Sequence, residues 1–158
     1  MMLLTVLLTP HTLIGVAIAT RVRHPLWSPI LAFLSHSLAD MVPHWDFFTN
    51  LSGRKVSGRQ HLAILVDLGL GLVVGLFFTF RALWLLGDQS LALAIFLSAT
   101  AANLPDAFEV PHYFLGYSSG IVAKVYEFQH RCHQRAPLPW GALTQLLVMG
   151  FCLLFLLG

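Results

Sequence analysis

Charge is scarce in this sequence. Only 10% of its 158 residues are Asp, Glu, Lys or Arg, whereas an ordinary soluble domain carries about 25%. A water-soluble chain covers itself with solvated groups, and this one has too few of them. Cysteine is scarce as well. Cys132 and Cys152 are the two present, and Cys152 lies within an apolar run, so no disulfide framework is implied. Dense basic runs are missing and the net charge is only +2, which argues against a nucleic-acid partner. The serines lack a recognisable nucleophile context, and no Ser-His-Asp arrangement stands out.

Apolar length is what the sequence has. Hydrophobic residues make up 57% of it and the mean hydropathy is +0.76. Five stretches span or nearly span a bilayer: Met1–Thr20, Leu26–Val42, Leu62–Leu86, Leu91–Phe108 and Ala142–Gly158. A crossing helix needs roughly 20 residues. The second and fourth stretches are short and end in polar residues, as broken or tilted helices do. The expected fold is all-α: a polytopic membrane helical bundle of about five transmembrane or partly spanning helices, forming a single integral membrane domain over 1–158. Ala17-Ile18-Ala19 looks like a signal-peptide cleavage site, but no basic residue precedes the apolar run, and Arg21 and Arg23 follow it. That order is wrong for a signal peptide, and a retained membrane helix is expected.

Two polar connections, 47–60 and 109–140, separate these stretches. Within the second, Gly120–Arg135 reads as an amphipathic helix that Pro137 and Pro139 would stop. In the five-span arrangement one side of the membrane receives Arg54, Lys55, Arg59, Lys124, Arg131 and Arg135, and the other Arg21, Arg23 and Arg81. The richer side is expected to be cytoplasmic. A weak internal repeat aligns Phe33–Asp40 with Phe96–Asn103, each followed by a proline, at Pro43 and Pro105; membrane proteins built from repeats often place sites where the repeats meet.

The chain has eight histidines and seven acidic residues, many in or beside apolar helices. A charged side chain at the bilayer centre costs roughly 2.5–3.5 kcal/mol on the most lenient scale, so such residues need partners or a purpose. His36 and Asp40 are four apart and share a helix face. Pro43 ends the helix, after which His44 and Asp46 can fold back towards that face. Imidazole with carboxylate suits Zn, Mn or Fe, and a carboxylate also orients a liganding histidine. The competing reading is a His–Asp hydrogen bond that fixes helix packing. A second cluster is Asn103-Leu104-Pro105-Asp106 with Glu109 and His112, where helix termination competes with chemistry. A third is His130-Arg131-Cys132-His133, a His-x-x-His pattern that can hold a metal or belong to a solvated surface. His11 lies about ten residues into the first stretch. Asp67 is expected to pair with a polar group on another helix. Gly71 and Gly75 form a GxxxG pattern, which permits close helix contact.

The Ser35-His36-Ser37-Leu38-Ala39-Asp40 segment resembles the YdjM-like family of small bacterial membrane-bound metal-dependent hydrolases. That family carries a histidine early in its first helix, a Ser-His-x-x-x-Asp segment and a Leu-Pro-Asp segment. The matching residues here are His11, His36 with Asp40, and Leu104-Pro105-Asp106. Leu-Pro-Asp comes late in this chain, and His130-Arg131-Cys132-His133 stands in place of a His-Arg-x-x-x-His element. The resemblance covers about a third of the chain. It implies metal-dependent hydrolysis of a lipid or phosphoester at a bacterial inner, cytoplasmic membrane.

The residues thus expected to hold a divalent metal, zinc for example, are His36, Asp40 and His44, completed from His11, His130 or His133. Asp46 and Asp106 are the expected catalytic carboxylates. The rival readings are a small non-enzymatic transporter using the same residues for proton coupling, and a structural multi-pass protein whose polar residues only fasten helices.

Overall fold

The structure is a computed structural model that describes residues 8–45, 58–108 and 119–157. Its described residues form six numbered helices: α1 (Leu8–Val22), α2 (Trp27–Asp40), α3 (Gly58–Phe80), α4 (Gln89–Ala101), α5 (Gly120–Cys132) and α6 (Trp140–Leu157). A π-helical turn, Arg81–Leu85, extends α3, and a short helical segment covers 104–108. The fold is all-α.

Two helix starts have side-chain caps. The first N–H groups of a helix have no partner within it. At α1 the remote carboxylate of Asp67, on α3, accepts from the amides of Leu8 (2.6 Å) and Thr9 (3.3 Å) and from the Thr9 hydroxyl (2.9 Å). Asp67 is therefore paired with another helix, and its charge also suits the positive end of the α1 dipole. At α4 the local residue Asp88 accepts from the Leu91 amide at 2.9 Å and pairs with Arg23 at 2.6 Å. Within the described part of α1, His11 lies in the first turn.

The expected fourth stretch, Leu91–Phe108, is interrupted. Helix α4 stops at Ala101, and a new segment starts at 104 with Pro105 in its first turn, where a missing N–H costs nothing. Helix α5 ends at Cys132, before the expected Arg135, and His133 has extended geometry (φ −71°, ψ 112°).

Helix α1 is the central element, packed against α2, α3, α4 and α6. Small residues permit this. A Cβ on Gly15 would lie 2.5 Å from the Ser98 carbonyl oxygen, so α1 and α4 touch backbone to backbone there. The glycines of the GxxxG pattern pack within the chain, Gly71 facing Thr12 and Gly75 facing Thr12 and Ala99. The buried core combines Leu13, Val16, Phe78 and Ile95 with alanines such as Ala19, Ala82, Ala92 and Ala94.

Large apolar side chains point outwards. Leu65, Val73, Leu147 and Leu154 are 61%, 64%, 64% and 77% exposed, while His36, Asp40, Asp67 and Ser98 are buried. One helix, Leu62–Leu85, is long and apolar enough to cross a membrane; Gln89–Ala101 and Trp140–Leu156 are apolar but shorter.

Candidate metal centre

Five segments deliver ionisable side chains to one end of the bundle. His11 comes from the first turn of α1 and His36 and Asp40 from the last two turns of α2. His44 follows α2, Asp106 sits in the segment after α4, and His133 follows α5. The i, i+4 spacing of His36 and Asp40 stacks them on the inner face of α2, where both are buried.

The segments carrying His44 and His133 are tied by backbone bonds. The Gln134 amide donates to Asp40 (2.8 Å), the His44 amide to Gln134 (3.1 Å) and the Ala136 amide to His44 (2.8 Å). Helix α6 holds the same segment from the other side. The Thr144 hydroxyl donates to the Pro43 carbonyl at 2.6 Å, and the Gln145 amide to the Trp45 carbonyl at 2.9 Å. Gly141 permits this approach, because a Cβ there would collide with the Trp45 backbone.

Asp40 is the hub. Its Oδ1 lies 3.2 Å from His11 Nε2, and its Oδ2 lies 3.3 Å from His36 Nε2 and 3.8 Å from His133 Nδ1. Asp106 Oδ1 is 3.3 Å from His36 Nε2. The His11 and His36 rings stack at 4.1 Å, and those of His44 and His133 meet edge-on at 4.5 Å. Charge-assisted N–H···O bonds are normally about 2.7–2.9 Å, shorter than any of these. Tetrahedral ligands about 2.0–2.2 Å from a zinc ion lie about 3.3–3.6 Å from one another. The spacings of 3.2–3.3 Å fit the edges of a coordination shell as well as they fit long hydrogen bonds.

Backbone carbonyls orient two of the rings. His36 Nδ1 is 2.7 Å from the Ala102 carbonyl, and His44 Nδ1 is 2.8 Å from the Val42 carbonyl. A carbonyl only accepts, so each Nδ1 carries a hydrogen, and Nε2 is the atom each ring has available for a further partner. Metal-bound histidines are commonly fixed by this kind of outer hydrogen bond. His36 Nε2 lies 3.3 Å from an oxygen of Asp40 and from one of Asp106, an arrangement satisfied either by a second ring hydrogen donated to them or by a cation between them. His44 Nε2 and His11 Nδ1 are buried with no hydrogen-bond partner among the described residues. Burial also pushes the His44 pKa below its ordinary 6.5, which keeps this ring neutral and able to donate its lone pair. Two sets, His11–His36–Asp106 and Asp40–His44–His133, have ligand atoms mutually within 4.8 Å, close enough to hold a metal ion.

The structure brings His11, His36, Asp40, His44, Asp106 and His133 together, but not His130. His130 is exposed on α5, its ring stacked on Tyr126 at 5.6 Å. Helix α5 ends between the two histidines of the His-x-x-His pattern, so they diverge instead of sharing a face. Asp46, Glu109 and His112 lie outside the described residues, as does the side chain of His61. Gln129, overlooked in the sequence, is buried with its amide nitrogen 3.4 Å from His36 Nε2. Its one sequence signal is position: it precedes His133 by four residues on an amphipathic helix. A cavity of ≈ 90 Å³ reaches the cluster, lined by His11 and His44 and by Pro10, Ile14, Val42 and Val148. No family model, curated protein or solved structure matches this chain.

Proposed function

We propose that the chain is a polytopic membrane protein whose buried His/Asp cluster is the centre of a metal-dependent hydrolase acting on a lipid-like phosphoester. The observation that carries the reading is the convergence of six ionisable side chains from five segments, with donor atoms at ligand-edge spacing. Helix packing alone would be served by one His–Asp pair. The membrane setting is supported by the inverted distribution of polarity, since leucines and phenylalanines cover the outside while histidines, aspartates and small polar residues fill the inside. In lipid, buried ionisable residues mark functional sites.

The donors that would hold the ion are drawn from His11, His36, Asp40, His44 and His133. A bound divalent ion would lower the pKa of water and polarise the scissile bond. Asp106, with a side chain 35% exposed, is the cluster carboxylate placed to take a proton from water, using the oxygen that does not face His36. The apolar wall of the cavity suits the non-polar part of a substrate, and its ≈ 90 Å³ admits a small group rather than a whole lipid, given that full ligand pockets run to about 300–1,000 Å³. Asp67 caps α1, a packing role that gives a proton-coupled carrier no support.

The test is purified protein in lipid nanodiscs, loaded with Zn²⁺ or Mn²⁺ and given phospholipids and aryl phosphoesters. Hydrolysis that a chelator abolishes and metal restores, and that His36→Ala lacks while remaining inserted and folded, is the expected result. Full metal content in His36→Ala, or no hydrolysis by the loaded wild type, would sink the reading.

A further inference from the structure

Six donors exceed what one ion takes. Zinc in structural sites is nearly always four-coordinate, so a single ion would leave two of the six without a ligand role. The donors also fall into two sets. His11, His36 and Asp106 form one, and Asp40, His44 and His133 the other. Asp40 touches both: Oδ1 faces His11 of the first set at 3.2 Å, and Oδ2 lies between His36 of the first set, at 3.3 Å, and His133 of the second, at 3.8 Å.

We propose, resting on the metal-centre reading above, that the cluster binds two divalent ions bridged by the carboxylate of Asp40. The first ion takes His11, His36 Nε2, Asp106 Oδ1 and Asp40. The second takes Asp40, His44 Nε2 and His133. Four protein donors close a site, whereas three leave a position open for water or substrate. The second position is therefore the reactive one, and its His44 lines the cavity.

Three observations support two ions over one. The rings of His36 and His44 are oriented separately, by Ala102 and Val42, and belong to different sets. Among the described residues, buried nitrogens without a hydrogen-bond partner occur in both sets, His11 Nδ1 in the first and His44 Nε2 in the second. The cavity is lined by one histidine of each set, so it runs along the boundary between the two sets.

The test uses the full chain in detergent micelles, free of any histidine tag, saturated with Mn²⁺ or Zn²⁺ and desalted. Two equivalents of metal per chain are expected, and the Mn²⁺ form should give the electron paramagnetic resonance spectrum of an exchange-coupled pair. His44→Ala and His11→Ala, each checked for folding by circular dichroism and gel filtration, should each retain one equivalent. One equivalent in the wild type would overturn the paired centre and leave the metal-dependent hydrolase standing. No metal would overturn both. Two equivalents with the six-line spectrum of isolated Mn²⁺ would overturn the bridge. The spectrum of the wild type requires no variant, so a misfolded substitution does not rescue the proposal.

Discussion

At the scale of single residues, the two histidines of His130-Arg131-Cys132-His133 make the most direct comparison. His133 faces Asp40 and His44, while His130 lies on the outer side of α5. His133→Ala should weaken Zn²⁺ binding by at least about tenfold, in the range that loss of even an outer-shell partner produces, and His130→Ala should leave it unchanged; competition with a zinc-sensitive dye measures both. An equal loss in the two variants would contradict the placement. The sequence distinguished His36 and Asp40 well, because i, i+4 spacing on a helix is a geometric fact whatever the surroundings. It did not separate His130 from His133, because that depends on where α5 ends. Residue 133 is already extended, and the pull towards the Asp40 carbonyl through the Gln134 amide is a contact between segments far apart in sequence. Gln129 was invisible for a related reason, since an amide on an amphipathic helix gives no sign of being buried.

At the scale of helices, the close approach of α1 to α4 at Gly15 makes a sharp demand. Gly15→Ala puts a methyl group 2.5 Å from the Ser98 oxygen, and forcing the helices apart should cost about 1–3 kcal/mol, as overpacking generally does. Thermal unfolding in detergent would measure it. An unchanged midpoint would mean that the helices do not touch there. The α4 cap gives a pH signature. The Leu91 amide, chiefly, and Arg23 hold the Asp88 carboxyl below its ordinary 3.8. A depressed carboxyl stabilises the fold fully above that value and loses its effect as pH falls through the lower, folded-state value. Asp88→Ala should therefore lower the unfolding midpoint at neutral pH, and the difference from wild type should shrink below about pH 4. A difference that persists into strong acid would point to some other cause. Apolar runs located the helices because burial of backbone polar groups leaves few alternatives to helix in such stretches. Their ends were harder to read. The α1 start is capped by Asp67, a residue 59 positions away, and no local pattern announces such a cap.

At the scale of the whole molecule, the cluster occupies one end of the bundle, and Arg23 with Asp88 marks the other. Lys124, Arg131 and Arg135 belong to the cluster end by their place in and after α5. Basic residues collect on the cytoplasmic side, so the metal end should face the cytoplasm. Cysteines introduced singly at Ser119 and Ser90, in a chain with Cys132 and Cys152 replaced, should react with a membrane-impermeant maleimide from opposite sides. Labelling of both from the same side would refute this orientation. The parallel bridge between His44 and Arg135 has a consequence for how the protein is made. It ties the end of α2 to a segment synthesised some ninety residues later, and His133 is the last donor to leave the ribosome. A nascent chain that stops short of it already carries His11, His36, Asp40 and Asp106, yet the donor set that would face the cavity is incomplete. That set would thus be completed only once α5 and the residue after it have been made.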